Sequence, residues 1–141
     1  MWHQTFAERL ESWTKLRQQA ALADKHTALL SINRWWFGTP WRAYHLHWDD
    51  QPTWPDPWQL LSDNIYCSLA RGLGILYTIA IVDRADLQDV VLAELGGDNL
   101  VLIDKSKYIL NWDADTVVNI NLEPQKVRHS VTLAQIQQQI R

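Results

Sequence analysis

Asp89-Val90-Val91-Leu92-Ala93-Glu94-Leu95-Gly96-Gly97-Asp98-Asn99-Leu100-Val101-Leu102-Ile103-Asp104 is the stretch on which the fold turns. Two apolar runs rich in β-branched residues flank four residues that favour a tight turn, which is the pattern of a β-hairpin. Strands are predicted over 89–95 and 100–104, with the turn at 96–99. Lys105-Ser106-Lys107 then reads as a second turn and Tyr108 to Trp112 as a third strand. Val117 to Leu122 alternates like an edge strand or an extended arm. Pro124 breaks the chain, and Val131 to Ile140 closes it with a short helix carrying Leu133, Ile136 and Ile140 on one side.

Upstream the periodicity is helical. Phe6, Leu10, Trp13 and Leu16 recur at i, i+4, i+7 and i+10, with charged residues on the opposite face. Asp24-Lys25-His26 ends or bends that helix. Asp56 as N-cap and Pro57 as first helical residue open a second helix, which continues through Leu61, Ile65 and Leu69. Gly72 and Gly74 punctuate its end. Ile75 to Val82 reads as a buried strand. Helices first and a meander of strands later define an α+β fold: N-terminal helices packed on a small antiparallel sheet, with an extended C-terminal arm and a short helix. A chain of 141 residues fits one domain. Its parts are an N-terminal amphipathic helix (1–27), a Trp/Pro-rich segment (28–56), an α+β core (57–122) and a C-terminal arm (123–141).

Composition narrows the function classes. Hydrophobic residues make up 47% and charged residues 21%, as in an ordinary globular chain. The net charge of -3 offers no basic face for direct nucleic-acid binding. The longest near-apolar run, Gly72 to Val82, is far shorter than the roughly 18–20 residues of a membrane span. Met1-Trp2-His3-Gln4 does not open a secretory signal. The chain is expected to be made and kept in a cytoplasm, or assembled there into something larger. A single cysteine, Cys67, excludes an internal disulfide and a Cys-rich zinc site.

Tryptophan is the outlier, with nine residues, six of them between Trp35 and Trp58. Pro40, Pro52, Pro55 and Pro57 make this an irregular region, with a short strand possible over 42–48. The rings either build a core or anchor a contact surface. Trp35, Trp36, Trp41, Trp48 and Trp54 are the candidate partner-binding residues. Trp48, Asp49, Asp50, Gln51 and Trp54 could alternatively form a carbohydrate platform.

Chemistry is sparse. A nucleophilic Cys67 needs a helix N-terminus or an imidazole to favour its thiolate. A helix starting at Pro57 puts Cys67 almost three turns inside, among apolar neighbours, where it reads as a buried small hydrophobe. The alternative is a cysteine hydrolase or amidase with His129 or His47 as base and Asp104 as orienting acid. His45 and His47 alternate beside Asp49 and Asp50, a weak metal pattern, and Asp113-Ala114-Asp115 lacks the glycine and distal glutamate of a calcium loop. No metal and no cofactor is expected.

Arg71-Gly72-Leu73-Gly74-Ile75, leading to an apolar stretch ending at Val82, resembles the helix-to-strand step of transglutaminase-like cysteine-peptidase folds, which often reads R-A-L-G-I. In that family one strand begins with the catalytic His and the next ends with the catalytic Asp. Asp89 to Leu95 stands where the His strand would lie, and Leu102-Ile103-Asp104 where the Asp strand would end. The family's Cys lies at a helix start more than ten residues before the Arg, which falls near Pro57 or Trp58. Asp89 occupies the His position, and only Asp104 matches. The resemblance implies a papain-like scaffold with its chemistry removed. In style the chain is also similar to small virion-associated proteins of tailed bacteriophages: a Trp- and Pro-rich body, an N-terminal amphipathic helix and a C-terminal arm. That likeness implies a non-enzymatic tail, neck or baseplate component in a homo- or hetero-oligomeric assembly.

Overall fold

A computed structural model describes residues 2–43, 45–119 and 126–140. The architecture is α+β. Five strands, β1 (Val90–Leu95), β2 (Asp98–Ile103), β3 (Tyr108–Asp113), β4 (Thr116–Val118) and β5 (Val127–Thr132), form one antiparallel sheet in the order β4-β3-β2-β1-β5. Helices α1 (Phe6–Leu22), α2 (Lys25–Phe37), α3 (Pro57–Asp63), α4 (Ser68–Val82) and α5 (Leu133–Ile140) complete it.

The hairpin that decides the fold closes tightly. Leu95 pairs with Asp98, so the turn is Gly96-Gly97 alone. Their φ values of 55° and 90° are the left-handed backbone a two-residue hairpin turn requires. Val90, Leu92, Val101, Ile103 and Leu110 face the helices, while Ala93, Leu95, Leu100, Leu102 and Ile109 form a smaller apolar layer on the other face. The stretch read as a C-terminal arm is extended over Val127–Thr132, and there it joins the sheet as edge strand β5. Of the predicted strand over 117–122, β4 covers Thr116–Val118, and 120–122 lie outside the described residues.

Ile75 to Val82 is a helix, not a strand. It is the second half of α4, which packs on β1, β2 and β3 and is surrounded by α1, α2, α3 and α5. A helix buried on every side has no polar face, so its sequence carries no 3.6-residue rhythm and mimics a buried strand. Gly72 and Gly74 lie inside α4 rather than ending a helix. A Cβ on Gly74 would stand 2.4 Å from the Trp36 ring, and one on Gly72 2.8 Å from Leu92 Cδ1. Both thin the helix where neighbours press against it.

The helix that Asp56 caps stops at Asp63 instead of running on to Leu69. Asn64 adopts a left-handed conformation (φ 54°), and the chain restarts at Ser68 with Cys67 as N-cap. The Trp-rich segment also differs from its reading. Asp24 caps a new helix by accepting from Thr27 N–H, so Trp35, Trp36 and Phe37 ride on α2. No strand forms over 42–48 among the described residues; Trp41 makes a single bridge to Tyr66. The irregular remainder is tied down by indoles. Trp48 Nε1 donates to Asn99 Oδ1 (2.8 Å), and Trp54 Nε1 to the His47 carbonyl (2.8 Å).

Candidate functional site

The break between α3 and α4 decides the surroundings of Cys67. As N-cap of α4 it stands at the positive end of a 15-residue helix. It is 6% exposed and lines an open cavity of about 250 Å³ together with Trp41, Leu46, Ser68, Leu69 and Asn99. Leu46 N–H donates to Sγ at 3.4 Å, and the thiol reaches back to the Leu46 carbonyl at 3.8 Å. The sulfur thus fastens the 45–47 segment to the start of α4.

Among the described residues no histidine lines that cavity. His129, on β5, stacks on Trp48 with centroids 5.5 Å apart, and its Nε2 lies 3.8 Å from Glu94 Oε1. Trp48 bridges this imidazole to Asn99, the cavity's polar wall. His45 and His47 are exposed. Asp104 follows the far end of β2, five residues and so about 17 Å from Asn99 along an extended strand, and is paired with Lys25. The structure therefore does not bring Cys67, His129 and Asp104 together.

The five candidate contact tryptophans fall into three groups. Trp36 (1% exposed) and Trp54 (9%) belong to the core. Trp35 and Trp48 are half-buried, and Trp35 Nε1 donates to Ser12 Oγ. Trp41 is 61% exposed, although its backbone is pinned by the bridge to Tyr66 and by Arg42 N–H donating to the Tyr66 carbonyl at 2.6 Å. Trp58 and Trp112, which are not among the five, are also exposed, at 43% and 49%. Trp48 and Trp54 meet edge-on, 63° apart, so they do not offer one flat platform for a sugar ring. Among the described residues no three His, Cys, Asp or Glu side chains gather as metal ligands, and no helix is long and apolar enough to cross a membrane.

Asn111 is the structural hub beside the cavity, and sequence reasoning missed it. It sits in β3 with φ 70° and is 5% exposed. Its N–H donates to Asn33 Oδ1 on α2, and its Nδ2 donates to the Ser68 and Asn99 carbonyls. Its Oδ1 accepts from Arg71 Nε at 2.6 Å. One amide side chain thus locks α4, β2 and Arg71 in register.

The chain matches no protein-family model, no curated protein and no solved structure.

Proposed function

We propose that this chain is a non-enzymatic interaction protein, a tailed-phage virion component of the tail, neck or baseplate, built on a degenerate transglutaminase-like scaffold. The observation that carries the reading is Trp41, whose large apolar ring is displayed to water on a fixed backbone. Rigid indoles are favoured anchors of protein contacts because they bury much area at little entropic cost. Cys67 adds support. It stands at a helix start, as the resembling family's nucleophile does, though four residues before Arg71 rather than more than ten. Its cavity wall is an asparagine already held by Trp48, and its own contacts are with the Leu46 backbone.

Sedimentation across a concentration series tests this. The wild-type chain should form a defined oligomer, and Trp41→Ala should weaken association by about tenfold or more, as loss of an anchor worth about 1.4 kcal/mol or more would. A strict monomer, or an oligomer indifferent to Trp41→Ala, contradicts it. The competing hydrolase reading draws on two features, the thiol's place at the start of α4 and the Arg71 cation near it. It requires a base within reach, and the described geometry assigns His129 to Trp48 and Glu94 instead.

A further inference from the structure

Arg71 has one nitrogen committed and two free. It lies in the first turn of α4, where the helix dipole opposes a positive charge. Nε is held by Asn111 Oδ1, and Asn111 is held in turn by α2, α4 and β2. The guanidinium carbon stands 4.0 Å from the Phe37 ring centroid and 5.8 Å from that of Trp41. Neither Nη atom bonds to a described residue, no described carboxylate pairs with Arg71, and neither Nη is sealed from solvent. Burial lowers the pKa of Arg71 from its ordinary value, with the nearby Cys67 acting weakly the other way.

A guanidinium whose Nε is occupied still presents its Nη1/Nη2 edge, a two-pronged donor that matches a carboxylate. We infer that Arg71, Phe37 and Trp41 form a recognition site for an acidic side chain of a partner polypeptide, with the carboxylate on the Nη edge and an adjoining apolar side chain on Trp41. This rests on the reading of the chain as an interaction protein and names the chemistry of its partner. Charge favours a single carboxylate over a polyphosphate ligand. A single guanidinium edge at this site, on a chain of net charge -3, does not supply the several cations a nucleic-acid backbone requires.

The test uses the full chain, isotope-labelled and followed by NMR at the Arg71 Nε–H and Trp41 indole signals. The probes are two blocked dipeptides, N-acetyl-phenylalanyl-aspartyl-amide and its isosteric asparaginyl counterpart, with inorganic phosphate as a third arm. The aspartyl peptide should bind about tenfold more tightly than the asparaginyl one, the factor expected of one charge-assisted bidentate contact. Arg71→Gln should erase that difference, and Arg71→Lys should retain part of it. Trp41→Ala, at an exposed ring, should weaken both peptides without unfolding the protein. Equal binding of the two peptides, or phosphate binding as tightly as the aspartyl peptide, overturns the site. A chain that stays monomeric yet discriminates between the peptides fails the proposed association and keeps the site. An oligomer with equal peptide binding does the reverse.

Discussion

The hydroxyl of Thr78 accepts from two indoles at once, Trp13 Nε1 at 3.0 Å and Trp36 Nε1 at 2.9 Å, and donates to the Gly74 carbonyl. All three side chains are at most 1% exposed. Water cannot replace a partner there, so each indole N–H left alone costs about 1–3 kcal/mol. Thr78→Val keeps the shape and removes the acceptor. It should lower stability by about 3 kcal/mol in chemical denaturation, while Thr78→Ser recovers most of the loss. A valine variant as stable as the wild type would show that the indoles do not depend on this oxygen. Sequence alone placed Trp13 on the apolar stripe of a helix and left Trp36 between core and surface. The partner that settles Trp36 lies 42 residues away, beyond the reach of local spacing.

Among the elements, α4 carries the packing of the whole helical layer. Gly74→Ala would gain about 1 kcal/mol of helix propensity. The added Cβ, however, meets three Trp36 ring atoms at 2.4–2.7 Å, and overpacking of this kind costs typically 1–3 kcal/mol, about enough to reverse the gain. The melting temperature should fall; a rise would mean that the Trp36 ring yields freely. The elements legible in the sequence were α1, which has one wet and one dry face, the start of α3, marked by Asp56 and Pro57, and the β1–β2 hairpin, marked by its glycine turn. Helix α4 was misread because it has no wet face. The break at Asn64 gave only a weak signal, a single residue able to adopt left-handed backbone, and that break moves Cys67 from mid-helix to N-cap. Helix α2 was hidden by its tryptophans, although Asp24, Ala28, Ile32 and Trp36 already carried a cap followed by a regular i+4 stripe.

At the scale of the whole molecule, two buried phenols tie the 55–60 region to its surroundings. Tyr66 OH donates to the Leu60 carbonyl (3.2 Å) and Tyr77 OH to the Pro55 carbonyl (2.6 Å). Burial pushes both pKa values well above the ordinary tyrosine value of about 10. A folded-state pKa raised in this way contributes stability that is fully present below the unfolded value and lost as pH rises beyond it. Unfolding temperature should therefore drop steeply above pH about 10, and the Tyr66→Phe/Tyr77→Phe double variant should show a flatter alkaline limb. An unchanged limb would mean that other groups govern alkaline unfolding.

The same scale joins the sheet, α4 and the Trp41 surface into one proposal, in which the thiol fastens a loop and recognition is left to exposed rings. Alkylation of Cys67 by iodoacetamide at neutral pH, native against unfolded, tests this most directly. Labelling that waits for unfolding is the predicted result. Native labelling as fast as in the unfolded chain, or faster, would contradict it.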